Sequence, residues 1–241
     1  GEPVEKKRTR VGYCSKTYNY LKKSDVFEDK DNLVIAGNLF LFLADNYLDI
    51  FTISGGDENL RLAKKYNAKL LEYVDKMIKG PAKSNFTVNV LSNLINLYRL
   101  ENNIEESIRH EEQLISFLKC GGNQILDGYN KKRIEVQCNR EKYNLAHLKS
   151  ISGKDEEARR IFEEVIKEET DNIHPADKAI TRLSLYTLYR KRGDFDEAEK
   201  YLYESLSFLN PENPTHIHQY YNNLMHLYSF LSAKGFIHEA I

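Results

Sequence analysis

Between Leu185 and Leu209, apolar side chains recur at helical spacing on both sides of a single glycine. Leu185, Leu188 and Tyr189 fall on one helical face, Gly193 interrupts them, and Asp194 stands where an N-cap belongs. Phe195, Ala198, Tyr201, Leu202, Ser205 and Leu206 then resume the period. This pattern predicts a helix, a tight turn and a second helix. Pro211 and Pro214 close the unit, since proline has no amide for the next helical hydrogen bond. The layout returns from Leu145 to Ile166, with Gly153 at the turn and Ala158, Ile161, Phe162, Val165 and Ile166 after it. It returns again from Leu94 to Leu118 around Asn102-Asn103, with Ser107, Leu114, Ile115 and Leu118 in the second helix. A weaker copy runs from Leu33 through Gly55-Gly56-Asp57 to Ala63, Leu70, Leu71 and Val74. A last one begins at Leu224, turns at Gly235 and is cut at Ala240.

These copies are internal repeats. The small residue of each second helix marks the register: Ala63, Ser107, Ala158, Ala198 and Ala240 stand 44, 51, 40 and 42 residues apart. The spacing exceeds the roughly 34 residues of the standard helix-pair repeat. Long first helices, such as one predicted over Asp127 to Ser152, would supply the extra length.

Two segments carry a family likeness. "RKRGDFDEAEKYLYESLSFLNP", from Arg190 to Pro211, resembles the turn and second helix of a tetratricopeptide repeat, and "GKDEEARRIFEEVI", from Gly153 to Ile166, resembles it too. The local physics agrees, because glycine tolerates the left-handed conformation that ends the first helix and alanine lets two helices approach closely. The likeness covers about 200 residues from near Leu33 onward. It implies an all-α, right-handed superhelical stack of antiparallel helix pairs, a tetratricopeptide-like solenoid. Residues 1–31 would form a leader with a first helix, and 32–241 about five units with the last truncated. The family places a small residue beside the leucine of the first helix. Only Ala146 does so here, while Ile95, Tyr186 and Tyr228 are large. With the long period, this is similar to the extended repeats of kinesin light chains and of bacterial regulators that sense peptides.

Composition narrows the classes. Hydrophobic residues are 41% and charged residues 29% of the chain, enough for a core, while 5 prolines and 12 glycines leave few breaks for strands and hairpins. With 35 basic and 36 acidic residues the net charge is −1, so no global field draws in nucleic acid or an anionic membrane. Lys6, Lys7, Arg8 and Arg10 form a short basic run, read as a solvated leader. The longest apolar run, Leu39 to Ala44, is far shorter than the roughly 20 residues of a membrane span. Cys14, Cys120 and Cys138 lack CxxC spacing, so neither a disulfide framework nor a zinc knuckle is indicated, and a reducing, cytoplasmic setting is expected. A sequence that stops in mid-pattern at Ile241 is expected to be part of something longer.

No GxSxG, HExxH, GxGxxG or P-loop pattern occurs, and no cofactor is implied. His216 and His218 lie two residues apart, which on a helix points them in different directions, so they are read as solvated or capping and no metal site is assigned. The pairs Glu156-Glu157 and Glu163-Glu164 fall on a polar helix face, where charge normally only solvates. Of the 16 tyrosines, Tyr186, Tyr189, Tyr201 and Tyr228 occupy family core positions and are read as packing.

The resemblance also implies a site. In tetratricopeptide stacks the first helices line a concave groove, and alignment on the turn residues puts Asn89, Asn93, Asn96 and Arg99 of one unit there. Arg140, Asn144 and His147 follow, then Thr187 and Arg190, then Asn222, Met225, His226 and Ser229. Asparagine can donate to and accept from an extended peptide backbone, and arginine can grip a carboxylate through two parallel bonds. The plain alternative is a solvated helix face that carries Asn. The carboxylate clamp of chaperone-binding members is matched at Asn96 and Asn144, whereas Ser92, Ile180 and Ser184 stand where cations are needed. The expected function is a non-enzymatic scaffold for a protein or peptide partner. The alternative is the sensor or assembly domain of a larger bacterial regulator whose output domain lies outside the chain. Neither direct nucleic-acid binding nor membrane insertion is expected.

Overall fold

A computed structural model describes residues 3–22, 32–120 and 126–233. Among them are ten helices and no strand: α1 (Val4–Leu21), α2 (Leu33–Ser54), α3 (Asp57–Lys76), α4 (Pro81–Leu100), α5 (Ile104–Leu118), α6 (Lys131–Ile151), α7 (Asp155–Lys167), α8 (Pro175–Arg192), α9 (Phe195–Ser207) and α10 (Ile217–Ala233). The chain divides into two compact units between Ile134 and Glu135, within α6. The final turn at Gly235 and the marker Ala240 lie outside the described residues.

The turns fall where the pattern put them. Gly153 and Gly193 adopt φ of 81° and 88°, the left-handed region that a Cβ disfavours, and Asn102 does so at 58° between α4 and α5. Turns this short force the helices they join to run antiparallel. Asp194 stands at the N-cap of α9 but makes no capping bond, because its carboxylate pairs with Arg192 Nε at 2.9 Å. The long first helix is shorter than its pattern suggested. It begins at Lys131 rather than Asp127, since Gly128 at φ 81° brings the backbone against Pro81, where a Cβ would come within 2.9 Å of the ring.

In the first unit, α2 and α3 form the central pair. Phe40, Leu43, Tyr66 and Leu70 meet Val11 and Tyr18 of α1 on one side and Phe86 and Val90 of α4 on the other. The approach of α2 to α4 needs a bare backbone at Gly37, where a Cβ would lie 2.8 Å from the Phe86 ring. The window in α2 is apolar and long enough to cross a membrane by composition, and half of it is buried in this core. The basic run sits in α1, with Lys7 paired to Asp49 and Arg10 6.0 Å above the Phe42 ring.

The second unit repeats the scheme. Ala146 and Ala158 pack with Phe162, Leu185 and Leu188, and Tyr186 and Ala198 pack with Leu202, Phe230 and Leu231. Ala63, Ser107, Ala158 and Ala198, the register markers, are all fully buried. Two hydroxyls buried between helices are satisfied by backbone: Ser107 Oγ donates to the Ile95 carbonyl at 3.2 Å and Ser205 Oγ to that of Ala179 at 2.7 Å. A buried ion pair ties the α7–α8 connection to α8, with Arg182 Nη1 2.8 Å from Glu169 Oε1 and the guanidinium 4.4 Å from the Phe208 ring.

Two readings need correction. Tyr228 is not core, since it is 48% exposed, whereas Tyr186 is buried and Tyr189 stacks on Tyr201 at 5.5 Å. Cys120 and Cys138 are each disulfide-bonded, and Cys14 is a free thiol. Sequence spacing reports no distance between cysteines, which is why the bond was not foreseen.

Candidate functional site

In the second unit a cavity of about 320 Å³ opens between α6 and α8. Residues one helical turn apart share a face, so Val136, Arg140, Tyr143 and Asn144 present one side of α6 and Asp177, Ile180 and Thr181 one side of α8. Ile173, in the connection before α8, and Asn139 complete the lining. The walls are thus aliphatic and aromatic, with amides and charges set among them. The volume lies at the small end of the range of ligand pockets.

Behind the rim sits Glu141, 4% exposed and unmarked by the sequence reading. Its carboxylate accepts from Arg140 Nε and Nη2 at 3.1 and 2.9 Å, from Gln137 Nε2 at 2.5 Å and from Asn144 Nδ2 at 2.9 Å. Burying a carboxylate requires this compensation. Two of the expected groove residues are therefore partly committed within the protein, although the Arg140 side chain remains 61% exposed. His147 is exposed on the same helix, 6.3 Å from the Tyr143 ring in a stacked arrangement.

Further along the unit, Arg190 Nη1 donates to the Tyr186 hydroxyl at 3.1 Å, and the Tyr186 ring lies 5.6 Å from His226. Burial, and secondarily the Arg190 charge, push the His226 pKa below its ordinary value. Arg190, Thr187 and Asn222 are exposed, and Met225 is exposed to 66%.

In the first unit the expected residues lie on α4. Asn96 and Arg99 are exposed, and Asn89 Nδ2 donates to the Asn85 carbonyl at 2.9 Å within the helix. Asn93 Nδ2 donates to Asp45 Oδ1 of α2 at 2.6 Å. Although Asp45 retains exposed surface, partial desolvation raises its pKa, the Asn93 bond lowers it, and the nearby Asp49 charge raises it, with a net upward shift. The structure thus brings together Arg140 with Asn144 and Arg190 with His226, and binds Asn93 to an acid that the sequence reading did not connect with it.

Other candidates resolve into structure. Glu156 and Glu163 pair with Arg159, Glu157 pairs with Lys149, and the Tyr189 hydroxyl donates to Glu163 at 2.7 Å. His216 is buried and accepts from the Asn210 amide at 3.3 Å, while His174 caps α8 by accepting from the Ala176 amide. Among the described residues no group of three His, Cys, Asp or Glu side chains is placed to hold a metal.

No family model matches the sequence, and neither does any curated protein. Solved structures do match in fold. BtubC (BKLC) from P. vanneervenii superposes with a TM-score of 0.71 at 16% identity, over 100% of this chain and 87% of that one. Nearly identical, kinesin-light-chain TPR-like repeats from Podosopora anserina give 0.57 at 15% identity, over 85% and 90% of the two chains. This is a tetratricopeptide-like repeat fold. A Signal Transduction ATPase with Numerous Domains from Pyrococcus horikoshii, which carries a tetratricopeptide repeat sensor, matches at 0.59 and 14% identity, over 90% of this chain and 29% of its own. In tetratricopeptide terms α6 and α8 are first helices of successive pairs, and Arg140 and Asn144 of the expected residues are among those lining the cavity.

Proposed function

We propose that the chain is a non-enzymatic scaffold that binds a protein or peptide partner through the first helices of its repeats, with the α6–α8 cavity receiving an anchoring side chain. The observation that carries this is the cavity itself. It combines apolar walls at Val136, Tyr143, Ile173 and Ile180 with the amides of Asn139 and Asn144, the composition that pockets for side chains share. Burying one large apolar side chain contributes about 1.5–3 kcal/mol, so backbone hydrogen bonds and further contacts must supply the rest of a micromolar affinity. Screening the whole chain against a library of acetylated, amidated hexapeptides tests the reading. Enriched peptides should bind Tyr143→Ala and Val136→Ser about tenfold more weakly, with the helical circular dichroism unchanged. Failure to enrich any peptide, or enrichment indifferent to both changes, would remove the cavity from consideration.

A second reading, a sensor module within a larger regulator, is supported by the likeness to the Pyrococcus horikoshii sensor, where the matched part is 29% of that chain. An open reading frame that runs from these residues into an ATPase domain would favour it, and a stop soon after Ile241 would not.

A further inference from the structure

We infer that the α6–α8 cavity selects a basic side chain, lysine or arginine, from its partner; the inference rests on the peptide-binding reading above. The residue expected to grip an acidic partner is Arg140, but Arg140 directs both Nε and Nη2 at the buried Glu141. The Nε and Nη2 edge of the guanidinium is thereby committed to Glu141 and its charge is offset at short range, which leaves only the Nη1 side of this exposed group for a second carboxylate. The remaining charge at the rim is Asp177, exposed in the first turn of α8 and in no ion pair among the described residues. The cations nearest to it in sequence are turned elsewhere. Arg182 pairs with Glu169, and Lys178 Nζ lies 5.9 Å above the Phe208 ring. Glu135, the residue before Val136 in α6, accepts from the Asn172 side-chain amide at 2.9 Å. With Arg140 paired to Glu141 behind the rim, Asp177 is the charged lining residue left without an ion-pair partner among the described residues.

The apolar walls fit the same occupant. Lysine and arginine carry aliphatic stems that lie along hydrophobic surface while the head seeks a charge. Here Val136, Tyr143 and Ile180 line the path, and Asp177 and Thr181 follow one turn apart on α8. An acidic side chain in the same place would bring a carboxylate towards Asp177 and would have to compete with Glu141 for Arg140. The outcome reverses the electrostatic preference that residue types alone suggested.

The test uses the same hexapeptide library, whose blocked ends remove terminal charges, on the full chain and on Asp177→Asn. Lysine or arginine should be enriched at one position. Replacing that lysine by norleucine, or that arginine by citrulline, should weaken binding to the unaltered chain about fivefold, the scale of a partly exposed ion pair. Against Asp177→Asn the same replacement should change little, and raising salt should erase the difference. Arg140→Gln should sharpen the basic preference by releasing Glu141. Enrichment of aspartate or glutamate that is lost in Arg140→Gln would overturn the inference, as would apolar peptides that bind Asp177→Asn unchanged, and both outcomes leave the peptide-binding reading standing. If no peptide is enriched, both readings fail together.

Discussion

Ala198 offers the most direct test of how closely the helices of a repeat approach. It lies in α9 with no exposed surface, among Tyr186, Leu202, Phe230 and Leu231, each at 2% exposure or less. Ala198→Leu adds three carbons at this point. Were there room, burying them would stabilise the fold by about 0.8 kcal/mol per carbon. With neighbours already buried to this degree, the added volume must instead push α8 and α9 apart or force side chains off their rotamers, which costs about 1–3 kcal/mol. The sign of the effect therefore reports the packing.

Urea unfolding followed by far-ultraviolet circular dichroism measures it. A slope of about 2 kcal/mol per molar turns the loss into a fall in midpoint of about 0.5–1.5 M, with the slope unchanged. In a thermal scan the same loss corresponds to a drop of about 2–4 °C per kcal/mol for a chain of this size. Ser207→Leu, at an exposed position of the same helix, serves as control and should stay within about 0.5 kcal/mol. A midpoint that rises, or that matches the control, would show that Ala198 does not sit at a close helix crossing and that the α8–α9 register is wrong.

Two further outcomes follow from buried charge. Arg182→Ala should cost about 3–5 kcal/mol, because it leaves Glu169 buried without its partner, whereas Arg182→Met combined with Glu169→Leu should recover much of the loss; equal midpoints for the single and double changes would refute this. Asp45 binds its proton more tightly in the folded chain than at the ordinary value of 3.8, so stability falls as pH rises from there through the raised folded value and stays lowered at neutral pH. Asp45→Asn should therefore raise the thermal midpoint slightly at pH 7, since the carboxyl is partly solvated, with the advantage shrinking as pH falls towards about 4, and a lower midpoint at pH 7 would contradict the upward shift of Asp45.

The sequence made the repeat legible because its signals are local. A glycine at φ 88° and a fully buried alanine five residues later, Gly193 and Ala198, belong to one turn and one crossing, and a single chain segment displays both. Periodicity likewise announces which face is apolar. It says less at the ends of elements, where tertiary packing decides. The start of α6 is set by Gly128 against Pro81, 47 residues away in sequence, and no pattern within α6 contains that contact.

The site was legible to a lesser degree, and the shortfall is of one kind. Alignment put Asn93, Arg140 and Asn144 on the binding face by residue type and helical phase, treating each as a free donor. What each does depends on a neighbour that phase does not reveal. Asp45 lies 48 positions before Asn93, and it takes the amide that was reserved for a peptide. Glu141 lies beside Arg140 in sequence, on a bearing about 100° round the helix, so alignment of the groove positions did not mark it. Long side chains cross that angle, and the guanidinium and the Asn144 amide both fold back onto the carboxylate. In each unit, then, an acid organises the polar residues expected at a groove: Asp45 holds Asn93, and Glu141 holds Arg140 and Asn144. The partner's chemistry has to be read from the charges left over once these internal bonds are counted, and in the second unit the charge left at the cavity is that of Asp177.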